Sequence, residues 1–164
     1  MGNNKEVFNG KDIFVLLDKP YLLKFTLAVV YKLEEIYGTM TAALESLFNE
    51  DTEQAIQTAT VFLQLITKAK PEVIGQALDA KVFEAVSAAL RRDFPDKKDE
   101  EEAKENSNDW DNLYYMGRYL LCMSDNEFWH CSPRRFFKLL YLWGIHHKMI
   151  EPEQEIYNGN LTYF

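Results

Sequence analysis

The sequence predicts a mainly α-helical fold: a small N-terminal β-hairpin or meander, a helical body, an acidic linker and a small C-terminal helical module. Three observations carry this. Strand signals concentrate in the first 25 residues, where Asn9-Gly10 sits between Val7-Phe8 and Ile13-Phe-Val-Leu-Leu17, the dipeptide a type I′ hairpin turn prefers. From Thr26 onward apolar side chains recur three and four residues apart, punctuated by helix caps and stops. Between the two helical regions, Asp96 to Asn108 holds one alanine and no larger apolar side chain. Such a run cannot bury enough surface to offset its ordering entropy. It divides the chain into residues 1–95, a linker over 96–108 and residues 109–164.

Taken in order, Asp18-Lys-Pro20 reads as a second turn, leading to a strand over Tyr21-Leu-Leu-Lys-Phe25. Thr26 caps a helix with Leu27, Val30, Leu33, Ile36 and Tyr37 on one face, stopped by Gly38. Thr41 to Phe48 forms a short helix. Asp51-Thr-Glu-Gln54 reads as a capping box for a long helix carrying Ile56, Thr60, Leu63 and Ile66, ending near Ala69 because Pro71 restricts Lys70. Two further helices span 72–79 and 81–92, the second burying Val82, Phe83, Val86 and Leu90. Beyond the linker, Asn108 or Asp109 caps a helix to about Met123. Ser124-Asp-Asn-Glu127 is a capping box for a short helical turn, and Ser132-Pro133 starts a last helix running to about Met149. Asn158-Gly159 suits a terminal hairpin turn.

Charge and composition exclude several classes. The 164 residues carry a net charge of −8, with 47% hydrophobic and 14% aromatic side chains, which rules out a wholly disordered chain. No segment is basic, and Arg91-Arg92 and Arg134-Arg135 are too short for the basic stripe that nucleic-acid binding needs. No apolar run approaches the roughly 18 residues of a membrane span, and Met1-Gly-Asn-Asn-Lys-Glu6 does not read as a signal peptide. Cys122 and Cys131, without an export signal, read as reduced thiols. A soluble intracellular protein that binds neither nucleic acid nor membrane is expected.

The chemistry-bearing residues form no familiar constellation. There is no phosphate-cradling glycine loop and no zincin motif. Cys122, His130, Cys131, His146 and His147 lack the spacing of a structural zinc site, and neighbours on a helix diverge by about 100°. His146, His147 and Lys148 read instead as cations favoured at a helix C-terminus. His130-Cys131 lacks an orienting third group. No cofactor, no metal and no enzymatic activity are expected.

The last helix departs from an ordinary surface helix. Phe136, Phe137, Leu139, Leu140, Tyr141, Leu142, Trp143 and Ile145 cover nearly its whole circumference, where a surface helix carries one apolar stripe. Either the C-terminal module wraps it completely, or part of it is a partner surface. Trp129, Ser132, Pro133, Phe136, Phe137 and Leu140 are the candidate partner-binding residues, with Phe136 and Leu140 on one face because they lie four apart. Ala28, Ala42, Ala43, Ala55 and Ala59 permit close helix approach, either in the core or in self-association.

Two stretches together resemble the tail assembly chaperones of long-tailed bacteriophages and prophages. Residues 9–37 open with Asn9-Gly-Lys11, continue through Leu23-Lys-Phe25, and end in Leu33-Glu-Glu-Ile-Tyr37 with Gly38. They are similar to the family's hairpin, strand and first helix. Trp110, Leu113, Gly117 and the run Glu127-Phe-Trp129-His-Cys-Ser-Pro133 look like the C-terminal extension of its long form. Ser132 stands where the family usually has threonine, and Arg134-Arg135 at a commonly acidic position. The resemblance implies a non-enzymatic protein whose N-terminal module coats the tape-measure protein and whose C-terminal module recruits tail tube protein. It would act in the host cytoplasm and be absent from the finished virion. The long form often arises by frameshifting near the junction. A tape-measure protein is a long amphipathic helix, which apolar helical grooves would shield. The second reading is a small acidic helical phage regulator that binds and inhibits a host protein.

Overall fold

A computed structural model describes residues 12–95 and 108–151. The expected turn at Asn9-Gly10, the linker except Asn108, and the terminal hairpin at Asn158-Gly159 lie outside the described residues. Within them the chain is mainly α with a two-stranded antiparallel hairpin, as the sequence predicts.

β1 (Phe14–Leu16) pairs with β2 (Pro20–Leu22) in the register Phe14↔Leu22, Val15↔Tyr21 and Leu16↔Pro20. The period of two puts Val15 in the core and leaves Phe14, Leu16 and Leu22 facing out. Pro20 costs the ladder little because it opens an edge strand. The chain then enters the core at Leu23 and Phe25, both fully buried. Asp93, buried near the end of the fifth helix, accepts the Phe25 N–H at 2.7 Å. The adjacent Arg92 guanidinium donates to the same carboxylate at 2.7–2.8 Å and to the Leu23 carbonyl.

α1 (Leu27–Tyr37) is capped by Thr26, whose hydroxyl accepts the Val29 N–H, and is stopped by Gly38 at φ 85°. Its buried face is the expected one except in the last turn. Leu27, Val30 and Leu33 are buried, but Ile36 is 55% exposed and Glu34 is 7% exposed. The reason is polar: Glu34 accepts hydrogen bonds from the Asn108 N–H at 3.1 Å, the Asn108 side-chain amide at 2.7 Å and the Trp110 indole N–H at 2.7 Å.

α2 (Met40–Leu47) and α3 (Thr52–Thr67) form a hairpin of helices. Asp51 caps α3 as expected, accepting from Glu53 and Gln54 N–H. The box does not close, because the Gln54 side chain donates instead to Ser46, which in turn pairs with Thr58 at 2.7 Å. That contact turns α3 so that Ala55, Thr58, Ala59, Phe62 and Leu63 are buried and Ile56 is exposed. The helix ends at Thr67, with Lys68 left-handed at φ 60°, close to the expected stop near Ala69. α4 (Pro71–Ala77) and α5 (Ala80–Asp93) follow, and Val82 and Val86 of α5 enter the core. Phe25, Phe62, Leu33, Leu63 and Ile74 centre this first cluster.

α6 (Trp110–Tyr115) begins at an Asp109 cap and does not continue regularly to Met123. It widens into a π-turn over Met116–Leu120, after which Cys122 is left-handed at φ 53°. Gly117 lies in this turn: a Cβ there would lie 2.5 Å from the Phe128 ring, so the backbone approaches that ring as only glycine allows. α7 (Asp125–His130) starts with the expected Ser124–Glu127 capping box, and α8 (Pro133–His146) with Ser132 as cap and Pro133 in its first turn.

A second cluster joins Leu113, Phe128, Cys131 and Phe136 to Leu27 of α1. The Leu27 N–H donates to the Cys131 carbonyl at 2.9 Å. α7 lies on α1 and α8 on α5, where Arg134 donates to the Arg91 carbonyl at 2.8 Å. The helices after residue 108 therefore share packing with the N-terminal helices.

Candidate partner-binding site

An apolar groove runs where α1, α3 and α7 meet. Ala28, Val29, Tyr31 and Lys32 of α1, Leu65 of α3 with the following Lys68, and Trp129 of α7 enclose about 360 Å³. Each wall follows from local rules. Ala28 and Tyr31/Lys32 lie one turn apart on α1, and Leu65 and Lys68 one turn apart beside it. The Ser124–Glu127 box fixes the start of α7 and so carries Trp129 over α1. Its Glu127 carboxyl is held below the usual range by hydrogen bonds from the Ser124 backbone and hydroxyl.

Aromatic contacts hold the Trp129 wall. Trp129 stacks on Trp110 at 6.2 Å and on Tyr114 at 6.1 Å, and Tyr31 meets Trp110 and Trp129 edge-on at 5.3 and 5.7 Å. Edge-on and offset pairs of this kind favour one relative placement of the rings. Glu34 adds the Trp110 N–H bond, so the rings are fixed by a polar anchor as well as by packing.

The charged side chains lining the groove are Lys32 and Lys68, the first of them paired with a carboxylate. Lys32 pairs with Glu35 at 2.6 Å on the exposed side of α1. The hydrogen bond to Glu35 raises the Lys32 pKa, and the Glu35 carboxyl is lowered by Lys32 first and Tyr31 second. Tyr31 is raised, chiefly by its hydrogen bond to Glu35, and stays a neutral phenol. Among the described residues, the titratable side chains lining the groove are Tyr31, Lys32 and Lys68.

The six residues expected at a partner surface divide. Trp129 lines the groove. Ser132 is half-buried and accepts the Arg135 N–H as the cap of α8. Pro133 is buried, and Phe136 is 0% exposed, edge-on to Phe128 at 5.5 Å. For Pro133 and Phe136 a partner-contact role is corrected to core packing, since they have no surface to offer. Leu140 shares the inward face of Phe136, as the four-residue spacing implies. Phe137 faces out at 40% exposure, with Leu142 also exposed. The apolar circumference of α8 is thus covered in part by α5, by the π-turn and by Ile150, which folds back over Gly144.

Sequence reasoning placed Trp129 beside the α8 start but missed Tyr31, Lys32, Leu65 and Lys68. Their turn-by-turn spacing was a signal, but nothing in one sequence says that α1 and α3 lie side by side. The histidines and cysteines do not converge: among the described residues no three of His, Cys, Asp and Glu gather as metal ligands. His147 stacks on Trp143 at 4.1 Å and His130 bonds the Asn126 carbonyl. Among the described residues no helix is long and apolar enough to cross a membrane. Comparison with protein-family models, curated proteins and solved structures gives no match.

Proposed function

We propose that the chain is a non-enzymatic tail assembly chaperone that coats a tape-measure protein and recruits tail tube subunits while the tail is built. The observation that carries this reading is the α1–α7 junction. The two stretches that resemble the chaperone family contribute α1 and α7 to it, and together with Leu65 of α3 and the following Lys68 these helices line an apolar groove rather than a polar cleft. A groove with helical walls suits an amphipathic helix, whose apolar side chains insert at one-turn spacing. The outward Phe137 on α8 supplies a separate apolar contact for the tube subunit. In this reading the protein works in the host cytoplasm, self-associates along the tape measure and is left out of the finished virion.

Co-expression tests it. The full chain is expected to keep the tape-measure protein of its own genome soluble, in a complex holding many copies of the chaperone. A tape measure that is equally insoluble with and without the chain overturns the assignment. Capture of a host enzyme or transcription factor instead supports the inhibitor reading.

A further inference from the structure

We infer that the groove between α1, α3 and α7 selects a partner helix whose apolar side chains are flanked by carboxylates. Two features set the apolar part. A volume of about 360 Å³ equals roughly a dozen water volumes of about 30 Å³ each, room for two or three leucine-sized side chains. Ala28 provides the notch, because it presents a single methyl group one turn before the larger Tyr31 and Lys32 on the same wall. Walls made by two helices present gaps one turn apart, which matches side chains at i, i+3 and i+4 of a third helix.

Charge selects among such helices. Lys32 and Lys68 border the groove, and among the described residues no carboxylate lines it. Lys68, the left-handed residue that ends α3, lines the groove one turn after Leu65. Lys32 is held by Glu35, but both side chains are about half exposed, at 56% and 45%. A pair that open to water exchanges its carboxylate readily for a competing one. A helix with glutamates beside its leucines gains a charge-assisted contact at Lys68 and competes with Glu35 for a second at Lys32, whereas one with lysines there meets like charge at Lys68. This inference rests on the chaperone reading, in which the chain holds a partner helix, and it adds which helices the groove accepts.

The test uses the full chain and two synthetic peptides, so that its failure is separable from failure of the chaperone reading. Both peptides carry leucines at i, i+3, i+4 and i+7; one has glutamates at the flanking positions and the other lysines. Titration by calorimetry at low salt is expected to show the glutamate peptide binding about tenfold more tightly. The double variant Lys32→Glu and Lys68→Glu is expected to reverse the order. Ala28→Trp, which fills the notch, is expected to abolish binding of both. Melting curves check that each variant is folded, and the exposed charge variants decide the matter should Ala28→Trp unfold. Equal affinities for the two peptides, an unchanged order in the double variant, or no binding of either overturns the inference. Tape-measure solubilisation in the face of that result would place the chaperone contact on another surface.

Discussion

Replacing Glu34 by alanine is expected to weaken the whole C-terminal packing, although the residue sits in the N-terminal half. Glu34 is 7% exposed and accepts three hydrogen bonds, from the Asn108 backbone and side chain and from the Trp110 indole. Bonds to a charged acceptor are each worth about 1.5–3 kcal/mol. Asn108 is close enough to solvent to regain water, which lowers the sum. The net loss is expected to be about 2–4 kcal/mol. At about 2–4 °C per kcal/mol for a chain of this size, the melting temperature falls by roughly 4–16 °C. Glu34→Gln keeps the volume, and its amide is satisfied if the Asn108 amide turns over, so it costs about 1 kcal/mol or less. Urea unfolding followed by tryptophan fluorescence measures both. A double-mutant cycle with Trp110→Phe isolates the indole bond and is expected to give about 1–2 kcal/mol of coupling. An alanine variant within about 0.5 kcal/mol of the parent, together with zero coupling, refutes the anchoring role.

Gly117→Ala drives a Cβ to 2.5 Å from the rigid Phe128 ring and is expected to cost about 1–3 kcal/mol. Gly144→Ala meets only the flexible end of Ile150 and is expected to be near neutral, since alanine favours the helix by up to about 1 kcal/mol; paired thermal melts separate the two. Phe136→Ala empties a fully buried site and is expected to cost about 3–5 kcal/mol, whereas Phe137→Ala is expected to leave melting nearly unchanged while weakening capture of tube protein. Burial pushes the Cys131 thiol up, so it stays protonated further into the alkaline range, while Cys122 is exposed. A thiol reagent at mildly alkaline pH is therefore expected to label Cys122 in a fast phase and Cys131 only as the chain opens; two equally fast phases would contradict the packing around Cys131.

What was legible in the sequence was local. Thr26, Asp51, Ser124 and Ser132-Pro133 start helices where their side chains reach N–H groups two or three residues on, and Gly38 stops one by adopting φ 85°. Those interactions need no knowledge of the rest of the fold. The faces of α1 and α3 were harder, because periodicity gives a stripe but not its rotation. In α3 the Ser46–Thr58 bond sets that rotation and leaves Ile56 outside. In α1, Glu34 beside Glu35 looks like part of a solvated pair, and only the approach of Trp110 from 76 residues away makes one of the two a buried anchor. The close approach of the Phe128 ring to Gly117 was hidden for a similar reason, since it joins two helices whose contact belongs to the fold. Trp129 was recognisable as a candidate from its place before the α8 cap. Its partners Tyr31 and Leu65 belong to helices whose adjacency is a property of the fold.

The most direct test of the chaperone account is site-specific photo-crosslinking in cells that make both the chain and its tape-measure protein. A benzophenone amino acid is placed at position 28, in the groove, and separately at position 45, where the exposed Glu45 lies on α2 away from the groove lining. The account predicts a crosslink to the tape-measure protein from position 28 and none from position 45. Crosslinking from position 45 with none from position 28 contradicts it.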